Sequence, residues 1–235
     1  MSFLVRSDNP ILEPMDEYEF YDANVGGQKL NVQIHPEEGV SPFGKDVSNA
    51  INEMTFNLGS YNCALLPNET SLSFNLSIGT TGGIPGSVDA VFDRIRLVHQ
   101  SGLTILDEQA SNVLSRIKQI ALMSDENANA NWEEGLENLM IADASITPIT
   151  STAKRFNIKF KQAFWNQVKA VPLPVMGNCK LILTMARDKQ SFTYLTGSYT
   201  VANPVLNVSM LPYEMNYLER LKKVAQAGGL ILHYI

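Results

Sequence analysis

Cysteine is almost missing from this chain: Cys63 and Cys179 are the only two in 235 residues, far apart and without a Cys-x-x-Cys spacing. That argues against a disulfide framework or a cysteine-based zinc site and leaves two free thiols of the kind that pack in a core. Histidine is equally scarce. His35, His99 and His233 lie in separate segments, so no spacing sets two of them on one helical face. No apolar run approaches the roughly 18 residues that a membrane-crossing helix needs, and the first ten residues lack the apolar core of a secretion signal. The expectation is a soluble protein made in a reducing compartment. Positive charge is also in deficit, 18 Lys and Arg against 24 Asp and Glu, for a net charge of -6. General attraction to nucleic acid phosphates is therefore not expected. The local exception is Lys154, Arg155, Lys159 and Lys161, whose alternation with apolar residues reads as the solvated face of one strand.

Motifs that carry chemistry are missing too. There is no Gly-x-Ser-x-Gly, no His-Glu-x-x-His and no calcium loop of alternating acids. The glycine-rich run Gly79 to Gly86 lacks both the Gly-Lys-Ser/Thr of a phosphate loop and the Gly-x-Gly-x-x-Gly of a dinucleotide site. It reads as a loop. Asp16, Glu17 and Glu19 cluster, as do Glu133, Glu134 and Glu137, but with no second binding feature beside them each reads as a solvated face. The sequence singles out no catalytic, cofactor-binding or metal-ligating residue, and the expectation is a structural or binding protein rather than an enzyme.

What the chain does have is alternation. Leu30, Val32 and Ile34, then Met54, Phe56 and Leu58, then Leu72, Phe74, Leu76 and Ile78 alternate with polar residues, the mark of half-buried strands. Val91, Asp93, Ile95 and Leu97 suggest another strand, closed by a turn at Ser101-Gly102 and a return over Leu103 to Leu106. Phe156, Ile158 and Phe160 alternate with Asn157, Lys159 and Lys161. Pro172 and Pro174 mark a fixed connection before the strand Leu181 to Met185. Extended structure resumes at Tyr199 to Val201 and Val205 to Met210. Two stretches change period: Leu106, Ala110, Val113, Leu114, Ile117 and Ala121 predict an amphipathic helix over Asp107 to Ser124, and Pro212 opens a second over Pro212 to Ala227. Trp132 to Met140 reads as a short helix, and Leu230 to Ile235 as a final strand. Short strands between breaker-rich turns, with few helices, predict a mainly β, antiparallel sandwich rather than a βαβ array.

Three segments carry a resemblance to a known family. Met54 to Ile78 contains a strand, a Leu65-Leu-Pro-Asn-Glu-Thr70 turn and a strictly alternating strand. Val91-Phe-Asp-Arg-Ile-Arg-Leu97 leads to the Gly102 turn and the amphipathic helix. Phe164-Trp165 is followed by Val171-Pro-Leu-Pro-Val175 and Leu181-Ile-Leu183. In this order the chain resembles the jelly-roll major capsid proteins of the lineage of adenovirus hexons, nucleocytoplasmic large DNA viruses, virophages and polinton-like elements. The likeness implies a jelly-roll β-sandwich over 29–197 with one or two inserted amphipathic helices. Residues 1–28 are expected as an N-terminal arm, and 198–235 as a strand-helix-strand extension or the start of a second jelly roll. It implies a non-enzymatic viral capsid protein of the virion, self-assembling into the icosahedral shell as a homo-oligomer, a trimer among the options, beside other capsid proteins. Genome contact would run at most through Lys154, Arg155, Lys159 and Lys161. The alternative from another class is a β-sandwich recognition module, lectin-like or a viral spike domain, with Tyr61 or Trp132 stacking on a sugar.

Overall fold

A computed structural model describes residues 3–4, 29–39, 42–59, 61–78, 88–114, 117, 153–160, 162, 164–166, 170–188, 198–213, 219, 223 and 231–232. Eleven strands are present among them: β1 (Phe3–Leu4), β2 (Leu30–Ile34), β3 (Glu53–Gly59), β4 (Cys63–Ile78), β5 (Phe92–His99), β6 (Thr104–Gln109), β7 (Lys154–Lys159), β8 (Val171–Pro172), β9 (Cys179–Met185), β10 (Tyr199–Pro212) and β11 (Ile231–Leu232). A short helix α1 (Leu173–Met176) separates β8 from β9.

The pairing is nested. β1 pairs with β11, β2 with β10, β3 with β9, β4 with β7 and β8, and β5 with β6, every pair antiparallel. A ribbon paired in this way curls so that successive pairs fall alternately into two sheets. One runs β2-β10-β4-β7, with β8 also on β4, and the other runs β3-β9-β5-β6. That wrapping, two sheets joined by Greek-key crossings, is the jelly roll.

Alternation sets the register, because a slip of one residue would turn each apolar set to water. Met54, Phe56 and Leu58 of β3 face Leu181, Leu183 and Met185 of β9 inside one sheet, and Leu72, Phe74 and Leu76 of β4 line the other. Phe74 meets Phe92 edge to face across the core, with ring centroids 5.7 Å apart. Beyond β7, Trp165 meets Phe164 edge to face at 4.9 Å and lies tilted against Phe160 at 5.2 Å, and all three are buried.

Several expectations are corrected. Leu65-Leu-Pro-Asn-Glu-Thr70 is not a turn between strands but a bulge inside the 16-residue β4. Asn207 pairs with Ser71 and Ser209 with Leu66, so the residues between Leu66 and Ser71 loop out of the ladder. The bulge suits Pro67, which has no N–H to give a ladder, and Thr70 Oγ1 donates to the Leu66 carbonyl across it at 3.3 Å. A second irregularity, between Ala202 and Val205, places Asn203 at a φ of 49°, and asparagine tolerates that left-handed conformation better than most residues. In β5 a bulge between Phe92 and Arg94 shifts the period, so Phe92, Ile95 and Leu97 are buried and Val91 belongs to the preceding 3-10 turn.

The helix expected from Asp107 begins later. Asp107, Glu108 and Gln109 belong to β6, opposite Arg96, Ile95 and Arg94. Ala110 then turns at a φ of 53°, and helical residues start at Ser111. Pro212, expected to open a helix, is the last residue of β10 and pairs with Cys63, while Glu219 and Lys223 are helical. β10, from the segment assigned to a C-terminal extension, is an inner strand of the first sheet, between β2 and β4. Gly79 to Gly86, Trp132 to Met140, and most of the N-terminal arm lie outside the described residues.

Candidate assembly surfaces

A sandwich of two sheets presents two outward faces, and here they differ in chemistry. On the second sheet five outward side chains are charged and paired, among uncharged Thr55, Asn57, Val98, Ile182 and Gln109. Arg94 donates through Nε and Nη2 to both carboxylate oxygens of Asp107, at 2.7 and 2.6 Å. Arg96 Nη2 and Thr184 Oγ1 both donate to Glu53 Oε1, at 3.0 and 2.9 Å. Lys180 reaches Glu37 at 2.7 Å. The Arg94 guanidinium holds the Asp107 carboxyl below the usual carboxylate range.

The first sheet is different. Its outward residues are short and uncharged except at the β7 edge, where Arg155 and Lys159 are exposed either side of Asn157. Gln33 Nε2 donates to Asn207 Oδ1 at 3.4 Å, Asn207 Nδ2 donates to Ser73 Oγ at 2.9 Å, and Ser73 Oγ donates to Asn157 Oδ1 at 3.1 Å. One side-chain chain thus crosses β2, β10, β4 and β7. Ser209 adds a bond to Asn31 at 3.0 Å, and Ser77 and Thr200 share one at 2.8 Å. At the margin Glu69 is paired with Lys29.

At the corner where β9 leaves and β10 enters, Asp46 Oδ2 accepts the Asp188 backbone N–H at 2.8 Å. Burial, with a smaller push from the Asp46 carboxylate, raises the Asp188 carboxyl above its ordinary value. Two carboxylates are a thin donor set, and no group of three or more metal-ligating side chains occurs among the described residues.

The other residues noted in the sequence are scattered. His35 is exposed, and His99 Nδ1 is tied to the hydroxyl and backbone N–H of Ser101 at the β5–β6 turn. Cys179 is buried, and burial pushes its thiol up to about 11; Cys63 is half-buried. Arg155 and Lys159 lie outward on β7. Lys154 pairs with Leu76 through its backbone, while its side chain and all of Lys161 lie outside the described residues. Tyr61 is 43% exposed; Trp132 lies outside. The helical residues Val113, Leu114 and Ile117 are exposed rather than turned to the core. The polar chain across the first sheet escaped the sequence reading, since its members are spread from residue 33 to residue 207. The one available signal was that Ser and Asn, without acids, alternate with the apolar residues of β4.

No family model and no curated protein sequence matches the chain. Among solved structures, it is similar to PBCV-1 VP54 as fitted into a reconstruction of the virophage Sputnik, with 16% identity and a TM-score of 0.56, over 86% of this chain and 45% of that one. It is similar also to the PBCV-1 virus capsid, with 15% identity and a TM-score of 0.56, over 83% of this chain and 45% of that one. The chain has the jelly-roll fold of these capsid structures. It spans less than half the length of the solved chains that it matches. Among the described residues, no helix of this jelly-roll chain is long and apolar enough to cross a membrane.

Proposed function

We propose that the protein is a capsid structural subunit that associates with copies of itself in the shell of a virion. The observation that carries this reading is the nested strand order, with a likeness to capsid structures over more than four-fifths of the chain. The physical demands of the role agree with it. A shell subunit needs a rigid body whose contacts are individually weak and repeated around closed symmetry. A sandwich sealed by Phe74, Phe92 and the paired sheets supplies the body. Its outward faces supply surfaces already set in fixed rotamers.

Light scattering on the purified protein over a range of concentrations and salts, followed by negative-stain imaging, tests the proposal. Trimers, rings or shells are the expected outcome. A strict monomer at every concentration and salt would sink it.

A further inference from the structure

We infer that the acid-free outward face of the β2-β10-β4-β7 sheet is the surface by which one copy of this chain docks on another, and that the ion-paired face of the other sheet remains in solvent. The inference rests on the capsid reading and names the contact within it. Three observations lead to it.

The first is charge. In a chain with 24 acidic residues, the outward positions of this face over Asn31 to Gln33, Ser71 to Ser77, Arg155 to Lys159 and Thr200 to Ser209 hold no acid and two cations, Arg155 and Lys159, and the one acid beside them, Glu69 in the β4 bulge next to Ser209, is paired with Lys29. Two copies of a chain with net charge -6 repel at a distance, so a face without acids is where they approach at least cost.

The second is the kind of group present. A hydroxyl or a carboxamide carries both a donor and an acceptor, so the Ser, Thr, Asn and Gln of β2, β10 and β4 meet another copy of themselves without an obligatory mismatch, and the charged Arg155 and Lys159 are confined to the β7 edge. A charged face does so only where opposite signs happen to fall in register. On the second sheet Glu53, Arg96, Arg94 and Asp107 already satisfy one another, and covering them would strip water from two ion pairs with little new pairing in return.

The third is order. The chain Gln33, Asn207, Ser73 and Asn157 fixes side chains on all four strands before any docking. Little rotamer freedom then remains to be lost on contact. Ser73 and Ser209 are 9% and 7% exposed with no partner present, so they are already held among the longer exposed side chains around them. Four strands and about seven residues of length give about 450 Å² per copy. That is roughly half of the ~800 Å² per partner of a standard stable interface, so the contact is weak alone and effective when repeated around a shell.

The test compares two double variants of the full chain with the unaltered protein. Asn31→Glu/Val205→Glu adds two acids to the proposed face, neither opposite a cation in the ladder, and leaves the four-residue hydrogen-bond chain intact. Asn57→Glu/Gln109→Glu adds two acids to the other face. Melting temperatures within a few degrees of the parent establish that both fold, and light scattering gives the concentration at half assembly. The first variant should raise that concentration roughly tenfold or more, as an unpaired carboxylate buried at a contact does. The second should leave it within about twofold, as solvent-exposed charges do. Equal assembly by both variants, or loss in the second alone, overturns the inference while the capsid reading stands. A parent that never assembles overturns both.

Discussion

The phenol oxygen of Tyr199 lies 2.6 Å from the carbonyl oxygen of Ala186, so the first residue of β10 in one sheet is tied to the residue that follows β9 in the other. The same hydroxyl sits 3.2 Å from the Val91 carbonyl, just before β5. One buried donor therefore serves two backbone acceptors at the end of the sandwich where three segments meet. Tyr199→Phe keeps the ring and removes the donor, leaving two buried carbonyls with less satisfaction. It should lower unfolding stability by ~1–3 kcal/mol, read from urea denaturation with an unchanged slope. An unaltered midpoint would show that water serves these carbonyls equally well.

Gly177, between α1 and β9, has φ 70° and ψ -165°, a combination close to exclusive to glycine. A Cβ there would stand 2.7 Å from Nε2 of His99, whose ring is held on its other side by Ser101. Gly177→Ala should cost ~1–3 kcal/mol through backbone strain and displacement of the imidazole. The histidine ring resonances in an NMR spectrum should move with it. Ala at Gly102, where the φ is also positive but nothing lies within 4 Å, should cost less.

The two thiols should separate in reactivity. Cys179 is fully buried with its thiol pushed up to about 11, and Cys63 is half-buried with a smaller upward push from burial. Because the thiolate is the reactive form, a disulfide-exchange reagent at pH 8 should modify Cys63 in the native protein and Cys179 only at the rate of unfolding. Equal labelling of both would contradict the packing of β9.

These dependences show where the sequence was legible. Met54, Phe56 and Leu58, or Leu72, Phe74 and Leu76, advertise their strands because a sheet with one buried face must repeat every two residues. The same rule misled at β6. Thr104 to Gln109 is short and mixed, and its residues fit the helical spacing that continues through Val113 and Ile117, so the period alone could not place the boundary. Pro67 inside β4 reads as a turn because a bulge and a turn use the same residue types. What no local pattern carries is pairing at long range. The contact of Asp46 with Asp188 and the chain from Gln33 to Asn157 are set by the nested ribbon, and only the fold brings them together.

The Asp46–Asp188 corner yields a prediction in pH. Burial, chiefly, and the Asp46 carboxylate raise the Asp188 carboxyl, while bonds from the Ser198 side chain and the Tyr199 backbone pull the other way without prevailing. A carboxyl raised on folding binds its proton more tightly in the folded chain than in the unfolded one. Its contribution is therefore fully present below the unfolded value of about 3.8 and is lost as pH rises through the higher folded value. At neutral pH the ionised Asp188 works against the fold. Asp188→Asn is nearly isosteric, can still accept the bonds from Ser198 and Tyr199, and carries no charge. It should raise stability at pH 7 by ~1 kcal/mol, since a tenfold change in proton affinity corresponds to about 1.4 kcal/mol before solvent screening reduces it. It should also flatten the part of the stability profile just above pH 4. Denaturation midpoints measured from pH 4 to pH 7 for both proteins decide it. A variant less stable than the parent at pH 7 would mean that the charge is compensated, with Asp188 making a contact stronger than its desolvation.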